Sequence, residues 1–179
     1  MYFTDPPHGL PTQSDDDPHK ELQVNGVYRI PEARQHKPGS PPDRDKLQLV
    51  IKDLARPNGL AFSPDEKFLY VAESGKRQWM RYRVRPDGSV TDAILFLDAS
   101  TDPADGGPDG LRVDIKGNIY GSGPGDVWII SPEGKRLGLV RTPETVNNLS
   151  FGDPDYKTLY LAARTSIYRF RVSTPGWHR

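Results

Sequence analysis

Three short segments set a polar side chain in the same local frame: NGLAF from Asn58, DGLRV from Asp109 and NNLSF from Asn147. Each is followed by a polar turn (SPDEK, DIKG, GDPDYK) and then by an apolar run carrying a tyrosine: Tyr70, Tyr120 and Tyr160. The spacing from polar residue to tyrosine is nearly constant, which marks the three segments as copies of one unit. Amide and carboxylate oxygens gathered at one point suit a hard cation such as Ca²⁺. A plainer reading stands beside it, because Asn and Asp before Gly also make ordinary turns. Which one holds depends on whether the fold brings the three side chains together.

The elements around the repeats point to a fold that would. The repeats start 51 and 38 residues apart, bracketing the roughly 40 to 45 residues of a propeller blade. The 17 glycines and 18 prolines punctuate the chain every ten residues or so. Short runs rich in Val, Ile, Leu, Tyr and Phe lie between them. Strands are expected at 26–30, 47–51, 59–62, 68–72, 80–84, 110–113, 118–120, 126–130, 137–140, 148–151, 158–162 and 166–172. The N-terminus reads as the middle of a strand. No stretch has helical periodicity. The expectation is all-β: one domain, 1–179, built as a β-propeller. In such a ring the first strand of each blade lies innermost, so residues at its start converge on the axis. WD40 and Kelch propellers use the same layout without a metal, as interaction platforms.

Composition removes several function classes. Lys plus Arg equals Asp plus Glu, at 24 each, so no global field attracts nucleic acid or acidic lipid. The absence of cysteine excludes disulfides and thiol chemistry. No apolar run approaches the roughly 18 residues of a membrane span. No signal-peptide pattern follows Met1, which favours a cytoplasmic location and leaves room for a signal sequence upstream.

Other conspicuous residues have plainer readings. His8 in DPPHG is expected on a wall of the site, and Asp5 is expected to close a turn before Pro6. Asp114 should cap backbone amides of its turn. GSGPGD (residues 121–126) leads to a strand rather than a helix, so it reads as a hairpin and not a phosphate cradle. The two GKR triplets at 75–77 and 134–136 read as turn charges, TQSDDDPHK as a solvated acidic turn, and 31–45 as a Pro-rich surface loop. Tyr70, Tyr120 and Tyr160 are expected to anchor packing between blades.

RPNGLAFSPDEKFLYVAES, GPDGLRVDIKGNIYGSG and NLSFGDPDYKTLYLAARTSIYRF resemble the SMP-30/gluconolactonase/LRE-like family, and YFTDPPHGL and NGVYRI fit its gluconolactonase branch. The resemblance implies a six-bladed propeller with one divalent metal in the central channel, Ca²⁺ first, with Zn²⁺ or Mn²⁺ as alternatives. It implies hydrolysis of a small-molecule lactone of the glucono-1,5-lactone type. It carries metal ligation onto Asn58 and Asp109, and the general-base role onto Asp109. Asn147 or Asn148 would stand behind the ligands or face the substrate rather than bind the metal. The family's early Glu and first ligand Asn lie upstream of the segment that here begins at Tyr2. The expectation is therefore a C-terminal portion of about three to four blades, N-terminally truncated, with its activity compromised and its exposed blade edges open to self-association. The alternative is a non-catalytic propeller remnant or binding module.

Overall fold

The computed structural model describes residues 1–31 and 46–178; the expected Pro-rich loop thus lies almost wholly outside the described residues. Among the described residues the regular structure comprises fourteen strands and a 3₁₀ turn at Pro7–Gly9. They form four antiparallel sheets in chain order. The first holds β1 (Tyr2–Thr4), β2 (Val27–Arg29) and β3 (Gln48–Ile51). The second holds β4 (Pro57–Phe62), β5 (Phe68–Glu73), β6 (Gln78–Val84) and β7 (Val90–Asp98). The third holds β8 (Leu111–Val113), β9 (Ile119–Gly123), β10 (Asp126–Ile130) and β11 (Arg136–Val140). The fourth holds β12 (Val146–Gly152), β13 (Thr158–Ala163) and β14 (Ile167–Arg171). The leading strands β4, β8 and β12 lie side by side, as the inner strands of an incomplete propeller must, and β1 lies against β4.

Each core cluster is an interface between sheets. Because side chains alternate along a strand, a strand between two interfaces is apolar on both faces. In β5, Leu69 and Val71 pack toward the first sheet with Val27, Ile51 and Tyr82. Tyr70 and Ala72 pack the other way, with Trp79, Phe96, Leu111 and Trp128. The Trp79 and Trp128 rings are 5.3 Å apart across that second interface. A third interface joins Tyr120 and Val127 to Leu149, Leu159 and Leu161. Tyr70 and Tyr120 anchor interfaces as expected. Tyr160 does not: it is half-buried, and its hydroxyl donates to Asp153 within its own sheet at 2.9 Å.

β7 was not expected. It is an outer strand whose register with β6 shifts twice, and Asp92 within it has φ +51°. These irregularities erase the alternation that would announce it, leaving Ile94 and Leu95 exposed. Two acidic readings also change. Asp17, in the supposedly solvated turn, is buried and accepts from Thr12 N, Thr12 Oγ1 and His19 N. Asp5 closes no turn with its carboxylate; its backbone N–H bonds Gly26 O at 3.1 Å. Asp114 does cap Lys116 N and Asn118 N, at 2.8 and 2.9 Å.

The inner strands β4, β8 and β12 meet through the residues that start them, and the end of β1 reaches the same place. Thr4 Oγ1 donates to Asn58 O at 2.7 Å. Gly59 N–H donates to Asp109 O at 3.0 Å, and Gly110 N–H to Asn147 O at 2.9 Å. Glycine is needed here for contact rather than for turning. Asn58 and Gly59 lie within β4, and a Cβ on Gly59 would sit 2.9 Å from Gly110 Cα. A Cβ on Gly110 would sit 2.8 Å from Asn148 Cα. Gly59→Ala is therefore expected to lower stability by about 1–3 kcal/mol, the usual cost of overpacking. Gly9→Ala, with nothing within 4 Å, should melt as wild type. Denaturant unfolding of the two variants checks the difference.

Candidate metal and active site

The same contacts that join the inner strands deliver the three repeat residues to one cleft. β4 carries a bulge between Pro57 and Leu60, and β12 one between Val146 and Asn148. A bulge re-aims the side chain it carries, and the two bulges hold Asn58 and Asn147. Asp109 stands just before β8. All three line a cleft of about 710 Å³, together with His8, Ser74 and Pro108.

Asp109 is at its centre. Asn147 Nδ2 donates to Asp109 Oδ2 at 3.2 Å. Burial pushes the Asp109 carboxyl above its ordinary range; the Asn147 amide, the His8 imidazole and the Asn58 amide each pull it part of the way back. Its partners are thus weak: two neutral amides and a histidine. Asn58 is held from the other side, its Nδ2 donating to Ser74 Oγ at 3.2 Å, while Ser74 Oγ donates to Pro108 O at 2.6 Å. With its amide nitrogen so engaged, Asn58 keeps Oδ1 as an acceptor. Of the two adjacent asparagines, Asn147 is the inward one. Asn148 turns its Oδ1 to Leu149 N at 2.8 Å.

A buried carboxylate fixes the approach to Asn58. Glu73 has no exposed surface, and its oxygens accept from Ala55 N, Arg56 N and Gly75 N at 2.7, 2.9 and 2.9 Å. These bonds clamp the residues leading into β4 to the end of β5. Glu73 and Ser74 were not expected from the sequence, nor was Arg77. Arg77 is no mere turn charge: it is half-buried and donates to the carbonyls of Asp102 and Ala104. The available signal was connectivity. In an antiparallel blade the hairpin between the second and third strands returns to the end where the first strand starts.

The donor set fits a hard cation. Two oxygen donors of this chain, Asn58 Oδ1 and the Asp109 carboxylate, are of the type that Ca²⁺ selects, and Ca²⁺ takes 6 to 8 such oxygens. Among the described residues no three His, Cys, Asp or Glu side chains cluster as a metal site. An ion held by these two donors would keep positions for water, substrate or other oxygens.

Residues 9–165 match the model of the SMP-30/gluconolactonase/LRE-like region. A gluconolactonase of Zymomonas mobilis is 37% identical over 185 residues, covering 98% of this chain and 48% of the relative. The solved structure of a Xanthomonas campestris gluconolactonase superposes with a TM-score of 0.74 at 34% identity, covering 98% of this chain and 52% of that one. Regucalcin from Agrobacterium tumefaciens, described as a calcium-binding protein, has a TM-score of 0.62 at 22% identity over 76% of this chain and 43% of that one. At that identity the likeness concerns the fold alone. The chain spans about half the length of the curated relatives it matches.

The raised carboxyl gives a signed prediction. A carboxyl held above its unfolded value contributes stability below the unfolded pKa, about 4, and loses it as pH rises through the folded value. In chelator near neutral pH, Asp109→Asn should melt at or above wild type, and the difference should vanish at acid pH. Added Ca²⁺ should raise wild type alone, because binding to the folded state stabilises it. Thermal melts across pH check this; a variant less stable in chelator, with an equal response to Ca²⁺, would contradict it.

Proposed function

The chain belongs to the SMP-30/gluconolactonase/LRE-like family, and on that premise we propose that it forms part of a metal-assisted active site that opens sugar lactones of the glucono-1,5-lactone type. One observation carries the reading: Asp109 is a half-buried carboxyl on the channel whose neighbours are amides and an imidazole. Such a group gains from a cation and is basic enough to accept a proton.

Asn58 Oδ1 and the Asp109 carboxylate would hold the ion, Ca²⁺ by the hardness of the donors, with Zn²⁺ or Mn²⁺ as alternatives. A divalent ion bound there would polarise the lactone carbonyl and lower the pKa of water. The chain's own part is proton handling and orientation. Asp109 takes a proton from the water as its oxygen bonds to the carbonyl carbon. It returns that proton to the ring oxygen as the ring C–O bond breaks, giving the open-chain hydroxy acid. Asn147 holds Oδ2 of Asp109 in place for this exchange. Asn58 adds an oxygen without charge, which leaves a bound cation electrophilic.

A second reading is a non-catalytic binding module. It is favoured by one feature: Asp109 is the sole carboxylate among the described residues lining the cleft. A pH-indicator assay on glucono-1,5-lactone separates the two. The enzyme reading expects turnover that chelator removes, an acid limb above the ordinary aspartate range, and a loss of about 10²–10⁴-fold in Asp109→Asn. Full activity in Asp109→Asn would leave Asp109 as an element of packing only. A chain that neither binds a divalent ion nor opens lactones would carry the second reading.

A further inference from the structure

The cleft also carries cationic side chains. Arg77 and Arg164 both line it. Arg77 lies in the hairpin between β5 and β6, and Arg164 in the corresponding hairpin between β13 and β14. Antiparallel connectivity puts both hairpins at the end of the sheets where the inner strands start. The two arginines therefore stand over the channel mouth from blades on either side of β8.

Neither charge is paired with a carboxylate of the described residues. Arg77 donates to two backbone carbonyls, and its buried Nε has no hydrogen-bond partner. Those bonds fix its position and leave its charge unpaired by any carboxylate of the described residues. Arg164 is exposed and makes no hydrogen bond or ion pair with the described residues. Other arginines of the chain, such as Arg83 and Arg171, pair with aspartates instead. The hairpin of Arg164 is itself firmly held: Glu144 accepts from Thr165 N, Thr165 Oγ1 and Ser166 Oγ at 2.8, 2.8 and 2.7 Å. Ala163 pairs with Val146 and Glu73 with Pro57, so both hairpins extend beyond the residues that start β12 and β4.

We infer that Arg164, supported by the fixed charge of Arg77, selects lactones that carry an anionic substituent at the end remote from the ring ester. A carboxylate, sulfonate or phosphate monoester there would meet a planar guanidinium fork able to bind it bidentately. The inference rests on the lactone reading of the site, and the neutral polyol chain of a plain aldonolactone would leave both cations unused. Arg164 acts here on specificity, remote from the bond that breaks.

The test uses the full chain in chelator, so that no metal attracts the anion. Calorimetric titration compares D-glucaro-1,4-lactone, which bears a carboxylate, with neutral D-gulono-1,4-lactone. The acidic lactone should bind about tenfold more tightly, the scale of one charge-assisted pair. The preference should vanish in Arg164→Gln, persist largely in Arg164→Lys, and collapse in 1 M salt, where the Debye length is about 3 Å. Equal affinities, no binding of either lactone, or a preference that survives Arg164→Gln would overturn the inference. Hydrolysis of both lactones is followed separately with metal present. A preference without hydrolysis would refute the lactonase reading and leave the anion site standing; hydrolysis without preference would do the reverse.

Discussion

Two backbone hydrogen bonds govern this molecule: Gly59 N–H to Asp109 O, and Gly110 N–H to Asn147 O. They tie the start of each inner strand to the start of the next. Only a residue without a side chain allows the approach, since a Cβ at either position would overlap the neighbouring strand. The polar residue before each glycine is then carried to the channel with no freedom to turn elsewhere. Packing between the sheets sets the same geometry from behind. Leu69, Val71, Tyr70 and Ala72 on alternate faces of β5 tie the second sheet to both neighbours.

The site is a consequence of that constraint. Once Asn58, Asp109 and Asn147 share one volume, the carboxyl loses solvent and gains only amide and imidazole neighbours. Polar groups behind the site keep it in place without adding charge to it. Ser74 bridges Asn58 to Pro108 O, and buried Glu73 clamps the chain before β4. The arginines of the cleft stand on the hairpins, at Arg77 and Arg164. The cleft thus has an oxygen-rich floor and a cationic rim.

Much of this was legible in the sequence, for identifiable reasons. Inner and second strands are sandwiched between sheets, so their apolar runs and turn residues are strong signals. The repeat of polar residue, glycine and downstream tyrosine pointed to Asn58 and Asp109 directly. The role of the glycines was hidden, because a close approach and a turn use the same residue. β7 was hidden because its register shifts break the alternation and its face is exposed. Tyr160 matched the repeat but bonds within its own sheet. Asn147 and Asn148 could not be separated until the bulge in β12 fixed which one faces the channel. Arg77 and Arg164 carry no motif; their meaning lies in which end of the sheets a hairpin occupies.

The central claim is that the inner-strand contacts create an oxygen-donor half-site for a hard cation. The most direct measurement is a long-wavelength anomalous difference map from crystals of this chain grown with Ca²⁺. The account predicts one peak in the cleft, at about 2.3–2.6 Å from both Asn58 Oδ1 and an Asp109 carboxylate oxygen. A cleft without a peak, or a cation bound away from these two residues, would contradict it.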